Sequence, residues 1–123
     1  MCRLRSSLLK IKVKPTTKER NMKVVHTTAW DVQPGKVAEF LVNCHQAAEI
    51  QRRHGVEEIR LVQSFAGPLP VMTYAMIFPD GETFGKFMDS IPADPEWVTF
   101  MASVSVNPSA KMVSQSFGQD LMS

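Results

Sequence analysis

The strongest constraint in this chain is a shortage of charge. Residues 71–78, Val-Met-Thr-Tyr-Ala-Met-Ile-Phe, carry none, and residues 23–32, Lys-Val-Val-His-Thr-Thr-Ala-Trp-Asp-Val, carry only Lys23 and Asp31 near their ends. Side chains alternate across a strand, so Val24, His26, Thr28, Trp30 and Val32 share one side and Val25, Thr27 and Ala29 the other. A strand with one wet side shows charge at alternate positions, whereas one covered on both sides does not. Whatever fold these segments adopt must cover both faces of their sheet.

The remaining elements follow from periodicity. After the first strand, Gln33-Pro34-Gly35 precedes an apolar stripe at Val37, Phe40, Leu41, Cys44 and Ala48, the spacing of a helix of about five turns. Pro34 is expected at its first position and Gly55 past its end, with Arg52, Arg53 and His54 supplying last-turn cations. Glu39, Gln46, Glu49 and Arg53 fall off the stripe. Residues 56–66 and 71–78 read as two strands joined by a turn at Gly67-Pro68-Leu69-Pro70. Asp80 is an expected N-cap for a helix with Phe84, Phe87, Met88 and Ile91 at helical spacing. Pro92 interrupts it, and Asp94-Pro95-Glu96 restarts it with Trp97, Phe100, Met101 and Val104 as its stripe. A last strand is expected over 109–117. No internal repeat divides the chain.

The order β-α-β-β-α-β predicts an α+β, ferredoxin-like fold: a four-stranded antiparallel sheet with helices on one face. That leaves the second face bare, and monomers rarely expose so large an apolar patch. A partner sheet packed face to face across a two-fold axis supplies the missing cover, so a homodimer is expected.

Composition narrows the function. The chain has 123 residues, 44% of them hydrophobic, enough for one domain with a core. It has no apolar run long enough to span a membrane. The formal charge of +2 is unevenly spread. Residues 1–21 hold seven of the fourteen Lys/Arg and one of the twelve acids, which leaves residues 22–123 mildly acidic. An acidic body argues against nucleic-acid binding, which needs clustered cations. The basic stretch reads as a disordered extension before a domain over 22–118, with 119–123 as a tail. Organelle targeting is the competing reading, and the strand-like alternation of Leu9-Lys10-Ile11-Lys12-Val13-Lys14 weakens it. Cys2 and Cys44 form no disulfide framework, so a reducing, cytoplasmic setting is expected.

With these elements placed, the chain resembles the dimeric α+β barrel superfamily, which includes antibiotic-biosynthesis monooxygenase-like, NIPSNAP-like and EthD-like domains and polyketide cyclases. The residues that carry the resemblance are Thr27–Leu41, a strand running into a Pro-Gly-Lys helix start, and Gly81–Met101, a helix pair containing Asp-Pro-Glu-Trp. It covers about 22–118. The scaffold identifies architecture and leaves chemistry open, because many activities share it. It implies cofactor-independent oxygenation or cyclisation of an apolar aromatic or polyketide-like molecule. Haem degradation fits less well, since Thr and Ala occupy 27–29 where the resemblance leads one to expect an Asn.

His26 is the candidate catalytic base, because an imidazole exchanges a proton near neutral pH. Thr28, Trp30, Met72, Tyr74 and Met76 are the candidate substrate-binding residues. Size separates the two sides: Val25, Thr27, Ala29, Thr73 and Ala75 are small and let helices approach, so the larger residues are expected to face the partner sheet. A plainer reading makes His26 and Tyr74 buried polar tips and Trp30 core filling. His45 and Glu49 stand four residues apart on a helix face, but no third ligand supports a metal site. Neither cofactor nor metal is expected. Two functions compete: an oxygenase- or cyclase-like enzyme acting from His26, and a non-catalytic ligand-binding or stress-associated homodimer.

Overall fold

The computed structural model describes residues 22–66 and 71–123. The basic stretch over 1–21 and the turn at 67–70 lie outside the described residues. Strand β1 (Val24–Val32) leads to helix α1 (Val37–Arg52), then strands β2 (Glu58–Gln63) and β3 (Met72–Phe78). Helix α2 (Gly81–Ser90), a short 3-10 turn (Ile91–Ala93) and helix α3 (Pro95–Val106) precede strand β4 (Ala110–Gln119). The sheet order is β2-β3-β1-β4, and every neighbouring pair is antiparallel. This is the expected ferredoxin-like arrangement.

Local chemistry sets most boundaries. Asp80 caps α2, its carboxylate accepting from the Thr83 backbone N–H and hydroxyl, both at 2.8 Å. Asp94 caps α3 through the Glu96 N–H, with Pro95 at the first position. Pro92 lies in the 3-10 turn, as a residue that cannot donate into a helix must. Pro34 behaves otherwise. It sits with Gly35 in a turn closed by the Lys36 N–H on the Gln33 carbonyl, and α1 begins only at Val37. Gly35 has φ +79, which a helix cannot continue.

One side of the sheet carries the helices. Val24, Tyr74, Met76 and Phe78 pack against Val56, Phe87 and Ile91, with Trp30, Cys44, Ile59, Leu61, Phe84 and Trp97 around them. Phe78 is wholly buried and meets the rings of Phe84 and Phe87 edge-on, each 5.0 Å between centroids. Burial of one such ring contributes about 2–3 kcal/mol.

The structure overturns the expected facing of the sheet. Val25, Thr27, Ala29, Thr73 and Ala75 point away from the helices, and the large set His26, Thr28, Trp30, Met72, Tyr74 and Met76 points toward them. Helices laid across a sheet leave a trough, and only large side chains fill it at native density. Smallness was the wrong guide to the helical side.

The helices are pinned at one end. His54 Nε2 lies 2.6 Å from Asp94 Oδ2, and His54 Nδ1 lies 2.8 Å from Ser90 Oγ. Arg53 pairs with Glu96 beside it. His54, expected as a helix-end cation, ties the end of α1 to the start of α3. Away from this pin α3 is loosely held, and none of its side chains is buried. Along α1, Val37 is largely exposed, while Ile50 and Gln51 are buried.

Candidate functional site

Between the helix-facing side of the sheet and the helices α1 and α3 lies a half-open cavity of about 430 Å³. The sheet contributes its floor: His26, Thr28 and Trp30 from β1, Tyr74 and Met76 from β3, Met112 and Gln115 from β4. Phe40, Cys44, Ala47 and Gln51 of α1 form one wall, and Trp97, Phe100, Met101 and Val104 of α3 the other. The apolar stripe expected for α3 therefore faces an opening, which explains why it is not buried. No Asp, Glu, Lys or Arg is among the lining residues described.

Five of the six sequence-predicted site residues converge on this cavity, and Met72 does not. It lines a separate hollow with Trp30, Val32, Val37 and Gln63. The cavity is built from elements of one chain, not between two sheets, because the predicted set faces inward.

The polar groups are few and mostly spoken for. Trp30 Nε1 donates to Thr28 Oγ1 at 2.8 Å, and Thr28 Oγ1 reaches the Tyr74 carbonyl at 3.5 Å. The Tyr74 hydroxyl donates to Gln51 Oε1. Tyr74, a candidate substrate-binding residue, spends its proton inside the wall, as the plainer reading of a buried polar tip expects. Burial first, and the neighbouring Cys44 second, push the Tyr74 phenol well above its ordinary value, with Arg52 opposing. Burial also pushes the Cys44 thiol up to about 11, so it is protonated and weakly nucleophilic at neutral pH.

His26 is held differently. Its Nε2 lies 3.2 Å from Gln115 Oε1. An amide oxygen only accepts, so this nitrogen carries the proton and Nδ1 keeps its lone pair. Nδ1 is shut away from solvent and has no partner among the described residues. The Phe84 ring stands 6.2 Å away, between centroids. A buried acceptor without a partner is a costly arrangement.

Gln51 and Gln115 are among the cavity residues that escaped the sequence reading. Gln51 stands three residues after Ala48 and seven after Cys44, on the same helix face, and that spacing was the available signal. Gln115 lies opposite Thr28 across the β1–β4 pair, a register that depends on the extra residue Val113 between Ser114 and Met112. His45 and Glu49 are both exposed, and no group of three or more His, Cys, Asp or Glu that could hold a metal ion occurs among the described residues. Among those residues, no helix is long and apolar enough to cross a membrane.

No family model and no curated protein matches the sequence. Solved structures do match. A NIPSNAP family protein of unknown function from Agrobacterium tumefaciens superposes with a TM-score of 0.64 at 16% identity, over 81% of this chain and 89% of that one. An uncharacterized NIPSNAP-like domain protein from Burkholderia xenovorans gives 0.60 at 22% identity, over 82% and 85%. SnoaB, a cofactor-independent oxygenase from Streptomyces nogalater, gives 0.55 at 14% identity, over 80% and 91%. At these identities the likeness is one of fold. The chain has an α+β, ferredoxin-like fold, with NIPSNAP proteins and a cofactor-independent oxygenase among its structural neighbours.

Proposed function

We propose that this chain is a small cofactor-independent, monooxygenase-like enzyme that encloses an apolar aromatic or polyketide-like molecule and acts on it from His26. The observation that carries the reading is an uncharged, largely apolar cavity with the His26 imidazole among its lining residues. A cavity of this size suits a tricyclic aromatic, and a few convergent polar groups on apolar walls are the usual form of a small-molecule site. His26 takes a proton from an acidic C–H or phenolic O–H of the bound molecule. The anion left behind is costly in such surroundings, and the imidazolium beside it offsets that cost. Spread over an aromatic system, the anion adds dioxygen at carbon to give a peroxide. Loss of the second hydrogen of that carbon as a proton forms the C=O bond and breaks the O–O bond, so that the substrate supplies all four electrons. One oxygen atom becomes a product carbonyl and the other leaves as water. The fold shared with SnoaB supports this chemistry by analogy.

The assembly belongs to the same proposal. The sheet face of Val25, Thr27, Ala29, Thr73, Ala75 and Ile77 has no helix over it among the described residues, and a second copy covers it in a homodimer. Cys44, a free thiol, fits a reducing, cytoplasmic setting.

The test is oxygen uptake with an anthrone as substrate. His26→Ala lowers turnover by about 10²–10⁴-fold, the usual worth of a general base, while the thermal midpoint stays near wild type. Unchanged turnover removes His26 from the mechanism. A cyclase-like reaction started by the same base turns over substrate without consuming oxygen. One observation favours a second reading, a non-catalytic ligand-binding homodimer: the Trp30 and Tyr74 donors are satisfied within the wall, as in an ordinary core. Tight binding without turnover of any kind supports it.

A further inference from the structure

The Tyr74–Gln51 hydrogen bond fixes more than the wall. Gln51 is 6% exposed, sits in the last turn of α1 and lines the cavity. Its Oε1 accepts the Tyr74 proton, which sets the direction of the whole amide. The other end of that amide, Nε2, carries two N–H donors and has no partner among the described residues. A glutamine this deep in an apolar helix stripe loses free energy unless both ends are used. The cavity wall thus carries, at Gln51 Nε2, a donor for which no acceptor is found among the described residues.

We propose that Gln51 is the specificity-determining donor of this cavity: its Nε2 binds a carbonyl oxygen of a neutral aromatic ligand whose acidic hydrogen faces His26. The proposal rests on the reading of the cavity as a small-molecule site and adds the chemical class it selects, an aryl ketone over the bare hydrocarbon or phenol. Two features on the page narrow the class. No charged residue lines the cavity, so a carboxylate or phosphate would arrive without a counter-charge and lose more hydration than it regains. The Tyr74 proton is already committed, so the amide of Gln51 takes the donor role that a pocket tyrosine would otherwise play. Sites built to hydrogen-bond one oxygen reject analogues that lack it far more strongly than apolar pockets reject a change of size. Tyr74 acts through Gln51 as a positioning residue.

The experiment compares 1-hydroxyanthraquinone with 1-hydroxyanthracene, read by quenching of Trp30 and Trp97, both of which line the cavity. The wild-type protein binds the ketone at least about tenfold more tightly, the worth of one hydrogen bond to an otherwise unpaired buried group. Gln51→Leu abolishes that preference and leaves affinity for 1-hydroxyanthracene within about twofold, because only the donor is lost. Gln51→Glu keeps an oxygen for the Tyr74 hydroxyl and replaces the donor by an acceptor, so it reverses the preference even where the leucine variant folds poorly. Tyr74→Phe frees the amide and reduces the preference without abolishing binding. A wild-type protein that binds both probes equally overturns the assignment of Gln51 and leaves the cavity reading standing. So does a Gln51→Leu protein that keeps the preference. A wild-type protein that binds neither probe overturns both.

Discussion

Cys44 shows how a single side chain records its surroundings. It lines the cavity on the helical side, and burial lifts its thiol from about 9 to about 11. A proton held more tightly in the folded state stabilises that state fully below the unfolded value and ceases to do so above the folded one. Stability toward urea is therefore flat up to about pH 9 and falls between there and pH 11, and Cys44→Ala flattens that limb; midpoints measured at pH 8, 9, 10 and 11 check it. Tyr74, also raised, extends the decline to higher pH. His26 and Gln51 carry the two functional tests at this scale, one through turnover and the other through selectivity. His26 was legible as a candidate from residue type alone, and it lines the cavity. Its hydrogen-bond state was not, because the Gln115 that fixes its tautomer lies 89 residues away.

At the scale of elements, the junction between α1 and β2 is the most exacting. Gly55 has φ +106, and a Cβ placed there would stand 2.8 Å from the Thr83 methyl on α2. Gly55→Ala suffers twice, from a backbone conformation that only glycine adopts freely and from that contact, and costs about 2 kcal/mol in chemical unfolding. Thr83→Ser added to it recovers the steric part and keeps the hydroxyl that Asp80 accepts from, leaving the backbone part. Where boundaries depend on local chemistry they were readable in the chain: Asp80 and Asp94 as caps, Pro92 as a break and Gly55 as a stop all stand where their side chains dictate. Pro34 was misplaced because Gly35, one residue on, adopts a positive φ that keeps the helix from starting there. The facing of the sheet was misread for a different reason. Alternation groups residues into two sides but does not say which side meets the helices, and size was the wrong arbiter.

For the whole molecule, the uncovered sheet face sets the expectation. Ala75 sits near its middle, opposite Thr27 on one side and Arg60 on the other. Ala75→Lys places a second cation beside Arg60 and repeats it across any two-fold axis, so like charges meet on closure. Light scattering at micromolar concentration gives twice the mass of one chain for the wild-type protein and one chain's mass for this variant, whose cavity lies on the other side of the sheet. The order of elements was enough to predict the architecture, since β-α-β-β-α-β admits few arrangements. The enclosed space was not predictable, because it arises from how far α3 stands off the strands, a distance no periodicity encodes.

That loosely seated helix has a bearing on how choosy the protein is about bulk. Tied to α1 through His54 and Arg53 at its first turn, α3 lines the enclosure with half-buried side chains, the other walls being sheet and core. A guest's girth is therefore measured against the least covered wall, and its polar atoms against the side made by the sheet and α1.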